Sequence, residues 1–464
     1  MAKVISQETF DDVVKENIVD FSMSPEEAKE ETIKQFEAQG INLANIIKDL
    51  SINKETGVPI LNEAIDQLKT LIGEKSTDTK QLLNYLTVLD DECKKSIPHR
   101  VLAGKNGAHN IIITLLEQEL SSSKPDEEIL NKCVQAAISL TNKQPDLFDA
   151  EALAMVLKLL STQPKDELLR LTLQWLGKAC IMHEMNRQNI MNADIIKQLK
   201  PLVLVKNPNV MKDVCAVLRY LVLDDDIRVE FGKAHEHARS IAAEVVVDLC
   251  KRLAEFDDIT VLADMILTIG TLAVRNEFCV VIEEAGGLKL VLEIMNKNKD
   301  ALKLNREGLK LLRALAGNDT TKAHIIQQGA APIIKDLLQT NMNNEAIATA
   351  ALACISTLTL RVKDNSTAFF ETGIAEPIVE TIRLHPKNKM VQRNGAWAIR
   401  NMVCRSRDQC DSFLSCGAED LLNAAMAEHP TINQDIKAAL RDLNCKVDLK
   451  EEFTGKAEKI ISKE

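Results

Sequence analysis

Apolar residues recur in pairs three apart along most of the chain: Leu86/Leu89, Ala137/Leu140, Leu176/Ala179, Leu218/Leu221, Ile269/Leu272, Leu312/Leu315, Ile355/Leu358, Ile399/Met402 and Leu440/Leu443. On a helix this spacing places both members on one face, and a helix of about 10 to 15 residues cannot bury such a face by itself. Successive pairs are separated by 51, 39, 42, 51, 43, 43, 44 and 41 residues. Apart from the two steps of 51, these match a helical repeat of about 40 to 47 residues. A second ladder consists of Gly286, Gly329, Gly373 and Gly417, at intervals of 43, 44 and 44. Each follows one apolar helical segment and precedes another, where a chain that turns sharply needs a residue tolerating positive φ. The pattern predicts an all-α solenoid of about nine repeats, in which neighbours bury each other's apolar faces and leave one extended concave face.

The ends differ from the middle. Phe10, Val13, Val14, Ile18 and Phe21 fall at helical spacing over residues 5–21 and predict an amphipathic helix. Ser24-Pro25-Glu26-Glu27 combines an N-cap Ser, a Pro at the first helical position and a Glu three residues on, so a second helix starts there and stops near Gly40. The stretch from Ser51 to Pro59 reads as a linker. The expected organisation is an acidic helical segment over 1–50, a repeat solenoid over 51–445 and a charged tail over 446–464.

Composition agrees with stacked helices: apolar residues make up 45% of the chain and aromatics only 3%, so the core is aliphatic. The net charge of −11, with twelve acids against six bases in the first 60 residues, offers no footprint for nucleic acid or anionic lipid. Eleven cysteines without paired spacing read as reduced core thiols, and the longest apolar run, from Ile111 to Leu116, is too short to span a bilayer. These features place the chain in the cytoplasm or the nucleus, as a monomer without direct nucleic-acid or membrane contact. The sequons at Asn318 and Asn365 are then chance matches.

The segments "QETFDDVVKENI", "IKQFEAQGINLANIIK", "DDDIRVEFGKAHEHAR", "AVRNEFC", "LRALAGND" and "AALRDLNCKVDL" resemble the armadillo repeat family over nearly the whole chain. The resemblance implies an armadillo-type, right-handed superhelical solenoid that serves as an interaction scaffold, without an established substrate or reaction.

The stretch "GAWAIRNMVC" from Gly395 poses the sharpest functional question. Trp397 and Ile399 lie about 200° apart on a helix, so a core-facing Ile399 turns Trp397, Arg400 and Asn401 outward. This resembles one rung of the tryptophan and asparagine ladder of the importin alpha nuclear-transport adaptors. Across the units, however, the Trp position reads Asn84, Gln135, Gln174, Ala216, Leu267, Lys310, Ala353, Trp397 and Ala438. The Asn position likewise holds a single Asn, with Tyr220 at its place in the fourth unit. One rung supplies about 1 to 3 kcal/mol, whereas micromolar binding requires about 8. Four arginines do recur at one register: Arg219, Arg313, Arg400 and Arg441. They form either a basic stripe that reads an acidic partner, or local ion pairs with acids such as Asp224, Asp319 and Asp442.

The long step from Leu218 to Ile269 holds about eight extra residues, which a repeat usually places on one surface. Asp224, Asp225, Asp226, Arg228, His235 and His237 are candidates for a loop site there, against the alternative of a solvated loop with capping aspartates. On a helix the two histidines diverge, which disfavours a shared metal. No G-x-S-x-G, G-x-G-x-x-G or G-x-x-x-x-G-K occurs, and no catalytic residue or cofactor is assigned. The expected function is a non-catalytic scaffold holding an acidic or disordered protein segment along the concave face, past Arg219, Tyr220, Arg313, Trp397, Arg400 and Asn401. The alternatives are a nuclear-transport-like or chaperone-type adaptor and, behind these, an enzyme.

Overall fold

The computed structural model describes residues 3–44, 46–48, 51, 58–74, 78–273 and 276–447 of the chain. The expected linker lies almost entirely at 52–57, and the expected charged tail at 448–464, both outside the described residues. Two compact units are present, one ending at His237 and the other beginning at Ala238. The N-terminal segment belongs to the first.

The first unit opens with α1 (Gln7–Val19) and α2 (Pro25–Ala38), which close on a small core of Phe10, Phe36, Leu43 and Ile46. Ser24 accepts from the Glu27 backbone while Glu27 reaches back to the Ser24 N–H, completing the capping box. Gly40, at φ +70°, turns the chain after α2. Helix α1 ends before Phe21, which is 63% exposed; its inner face holds Asn17, whose amide donates to Thr32 Oγ1 at 2.9 Å. The repeats follow as α3 (Ile60–Gly73) and α4 (Thr79–Lys95), then α5 (Ile97–Lys105), α6 (Ala108–Ser121) and α7 (Glu127–Thr141). Next come α8 (Ala150–Ser161) and α9 (Asp166–Cys180), then α10 (Glu184–Asn192), α11 (Ile195–Leu202) and α12 (Pro208–Tyr220).

Next come α13 (Ala234–Arg252), within which the second unit begins at Ala238, and α14 (Ile259–Leu272), a two-helix repeat. Three-helix repeats then follow: α15 (Asn276–Glu284), α16 (Gly287–Lys297) and α17 (Leu302–Leu315); α18 (Asp319–Gln327), α19 (Ala330–Thr340) and α20 (Glu345–Thr359). The last two are α21 (Lys363–Glu371), α22 (Ala375–Leu384) and α23 (Lys389–Val403), and α24 (Cys410–Ser415), α25 (Ala418–Glu428) and α26 (Asn433–Asp442).

The long last helix of each repeat carries the apolar pair, and no member of the nine pairs is more than 2% exposed. Within the first unit α4, α7, α9 and α12 stack in that order; within the second, α14, α17, α20, α23 and α26 do. Burying a Leu or Ile side chain stabilises by about 1.5 to 3 kcal/mol, so these pairs are what holds each stack. Asp78, Asp126, Asn207, Asp258, Asn344 and Asn388 cap the starts of six of these helices with side-chain oxygens, which fixes where each begins. Gly286, Gly329, Gly373 and Gly417 all adopt φ between +75° and +86°, and Gly107 in the first unit has φ +87°. Asp194 occupies the same turn at φ +57°, which is why the glycine ladder is not visible in that repeat.

Candidate functional site

The rung on α23 is closed by the protein itself. Ile399 is fully buried, and Trp397, Arg400 and Asn401 are partly exposed on the opposite side, as the helical register predicts. The Trp397 indole N–H donates to Asp435 Oδ1 at 2.9 Å, and the Arg393 guanidinium lies 4.3 Å from the ring centroid. Arg393 Nε in turn donates to Asp435 Oδ2 at 2.8 Å. Asn401 Nδ2 donates to the Ser356 carbonyl at 2.8 Å and to its Oγ at 3.1 Å. Trp397 and Asn401 thus staple α23 forward to α26 and back to α20. The aromatic face and the amide that a peptide ladder would need are already engaged.

The arginine register divides. Arg219 and Tyr220 end α12 in the first unit, where the Tyr220 ring covers Gly177 of α9 so closely that a Cβ there would stand 2.9 Å from it. Arg400 and Arg441 both turn to Asp442, at 3.3 and 3.2 Å, and Arg407 reaches the same carboxylate at 3.6 Å. For these two the local-ion-pair alternative holds. Arg313, exposed on α17, makes no hydrogen bond or ion pair among the described residues.

Arg313 stands on the rim of a hollow of about 470 Å³ spanning α17, α20 and α23. Arg306, Lys310 and Arg313 form one wall; Ala346, Thr349, Ala350 and Ala353 form the floor; Asn388, Met390 and Asn394 form the far wall. Arg306 and Lys310 share the buried Glu307, at 2.6 and 3.2 Å, so the wall carries more positive than negative charge. Glu345, at one end, is held by the Asn388 amide at 3.0 Å. Arg306 and Lys310 lie off the recurring arginine register, and their i, i+4, i+7 spacing with Arg313 is the signal in the sequence that sets the three on one helix face.

The insertion after α12 is less solvated than a capping loop would be. Asp225 accepts from the Met182 N–H at 3.0 Å and Asp226 from the Glu184 N–H at 2.9 Å, so the two aspartates cap α10 from one repeat away. Arg187, 1% exposed, binds Glu184 at 2.9 Å and Asp225 at 2.6 Å. Arg228 pairs with Asp226 at 2.8 Å and Asp146 at 3.2 Å, and donates to the Met182 carbonyl at 3.1 Å. The Arg228 hydrogen bond holds the Asp226 carboxyl well below the usual carboxylate range, reinforced by the Glu184 and Arg228 backbone N–H groups. Glu184 also lies below its ordinary value: burial pushes it up, and hydrogen bonds from Gln188, the Lys233 N–H and Arg187 outweigh that. Asp224 is exposed beside Gly232, without a cation. His235 is exposed, whereas His237 is buried and donates from Nδ1 to the Leu221 carbonyl at 3.1 Å. The two histidines therefore do not converge, and no group of three metal-ligating side chains occurs among the described residues.

The remaining candidates are structural. Most of the thiols are buried, and burial pushes Cys93, Cys180, Cys250 and Cys354 up to about 12. Asn365 is 3% exposed, with its amide donating to the Leu358 carbonyl at 2.8 Å, and Asn318 caps α18. No helix among the described residues is long and apolar enough to cross a membrane.

Comparison with known proteins places this geometry in a family. The ARMC6 family profile matches residues 61–462, and that of the Armadillo repeat-containing protein 6 N-terminal domain matches residues 2–60. The chain is 65% identical over 463 residues to the armadillo repeat-containing protein 6 homolog of Drosophila melanogaster, covering 100% of both. To armadillo repeat-containing protein 6 of Homo sapiens it is 34% identical over 385 residues, covering 79% of this chain and 76% of that one. Among solved structures it resembles an engineered protein, with a TM-score of 0.69 at 15% identity over 83% of this chain and 89% of that one. A second likeness, TM-score 0.59 at 16% identity over 80% of this chain and 68% of that one, is to a structure concerned with a phosphorylation switch controlling the interaction between cadherin and beta-catenin. At such identities the likeness establishes the fold alone, the all-α armadillo-type repeat expected from the sequence. Matched by both profiles and by a full-length relative, the chain belongs to the armadillo repeat-containing protein 6 family.

Proposed function

We propose that the chain is a non-catalytic interaction scaffold that holds an extended acidic segment of a partner protein across α17, α20 and α23. The observation that carries this reading is Arg313, an exposed cation that makes no ion pair among the described residues, on the rim of an alanine-floored hollow. A carboxylate of the partner gains a charge-assisted, bidentate contact at Arg313 and a second charge at Lys310. A small apolar side chain beside it covers the methyl floor, and neighbouring residues of the segment run on along the stacked helices. The Trp397 and Asn401 rung contributes stiffness to this face rather than a peptide subsite, since both side chains bind within the protein.

The test is a titration of the full chain with fluorescein-labelled twelve-residue peptides carrying Asp or Glu at alternate positions. Arg313 makes no hydrogen bond or ion pair among the described residues, so thermal unfolding of Arg313→Glu should match the parent. Its affinity should fall roughly tenfold or more, about 1.4 kcal/mol, and the parent's binding should weaken with salt. Equal affinity of parent and Arg313→Glu would overturn the proposal.

A further inference from the structure

The insertion after α12 carries a second surface, of opposite character, in the first unit. Ile227 is 93% exposed and Phe231 83% exposed, in a chain that has only eleven Phe. The turn before α10, against which this loop is pinned, adds Met182 at 54% exposed, and the first turn of α10 adds Met185 at 53%. Arg228 bonding to the Met182 carbonyl and the Lys233 N–H donating to Glu184 Oε1 at 2.6 Å fix the loop at both of its ends. The fit between them is close: a Cβ at Gly232 would stand 3.3 Å from both the Asp224 and Glu184 carboxyl groups. Ile227 and Phe231 are therefore held outward on a loop whose Asp225, Asp226 and Arg228 are bonded inward, with Met182 and Met185 exposed on the turn and helix that receive those bonds. Such pre-ordering removes much of the entropy cost of binding, and exposed aromatic and methionine side chains are the types that anchor partner helices.

The charge around this patch selects the partner. Arg228 is committed to Asp226 and Asp146, while the exposed Asp224, Glu230 and Glu236 make no ion pair among the described residues. We infer that the loop docks a basic amphipathic segment of a protein partner, whose apolar side covers Ile227 and Phe231 and whose Lys or Arg side chains meet Asp224, Glu230 and Glu236. The same acidic rim repels an anionic membrane surface. The surface is independent of the cationic hollow on α17, and the scaffold reading can fail without it.

The experiment uses the full chain and a labelled fifteen-residue peptide of Leu and Lys at amphipathic helical spacing, with a Leu and Glu counterpart. Because Ile227 and Phe231 are exposed, Ile227→Ser with Phe231→Ser should leave the thermal melt unchanged and weaken the Lys peptide by about tenfold or more. Glu230→Lys with Glu236→Lys should weaken it several-fold and flatten its salt dependence. Arg313→Glu should have no effect. Equal binding by parent and the double Ser variant, equal affinity for the Glu peptide, or pelleting of the chain with vesicles of phosphatidylcholine and phosphatidylserine in a manner abolished by the double Ser variant would each overturn the inference.

Discussion

Arg187 is the residue on which the insertion depends. It is 1% exposed and binds Glu184, which is fully buried, together with Asp225 and the Cys180 carbonyl at 2.7 Å. Removing one member of a buried pair leaves an uncompensated charge, so Arg187→Ala should destabilise the first unit by about 3 to 5 kcal/mol in denaturant unfolding. The same knot predicts a pH dependence. Glu184 and Asp226 both titrate below their ordinary values of 4.5 and 3.8, so the folded state favours their charged forms. Their contribution is complete above those values and is lost as pH falls below them. The protection factors of the Glu184 and Lys233 amides, corrected for intrinsic exchange, should therefore be flat above pH 4.5 and decline under it. A decline on raising the pH would contradict the assignment. Sequence spacing showed that Trp397 and Asn401 face away from Ile399, but not what they bind, because Asp435 and Ser356 lie 38 and 45 residues away. Contacts one repeat apart are invisible to local periodicity. The same distance concealed Asp226 as a cap for α10.

Helices in this fold approach closely where a glycine faces a neighbour. Gly395, the first residue of the "GAWAIRNMVC" stretch, would place a Cβ 2.5 Å from Ile382 of α22. Ala in a helix interior gains about 1 kcal/mol over Gly, whereas overpacking a core costs about 1 to 3. Gly395→Ala should therefore destabilise by up to about 2 kcal/mol, and Gly73→Ala, whose Cβ would meet nothing within 4 Å, should stabilise by up to about 1. Chemical denaturation of both variants checks the signs, and the same sign for both would contradict the packing described. At this scale the sequence was informative wherever the apolar pair or a capping Asp or Asn marked a helix. It was not informative where α13 runs through as one 19-residue helix, because no glycine interrupts it and nothing local distinguishes a long helix from two. Phe21 misled for a related reason: the apolar spacing continues beyond Val19 although the helix does not.

Over the whole chain, the repeat period, the all-α class and the family were legible because every repeat must bury the same kind of face. The candidate site was only partly legible: Arg313 was named through the pair register, while Arg306, Lys310 and the alanine floor emerge only when α17, α20 and α23 are laid side by side. A net charge of −11 would suggest an acidic surface throughout, yet the α17 wall is positive. At low salt, the parent chain should accordingly discriminate among extended peptides by charge pattern, with Arg313→Glu abolishing the preference for acidic ones. The most direct measurement is photo-cross-linking of the full chain to the tightest-binding acidic peptide, with a photoreactive leucine set between two of its carboxylates. The account predicts that the label falls on α20 between Ala346 and Ala353 and disappears with Arg313→Glu. Label spread over other helices, or label on α20 that survives Arg313→Glu, would contradict it.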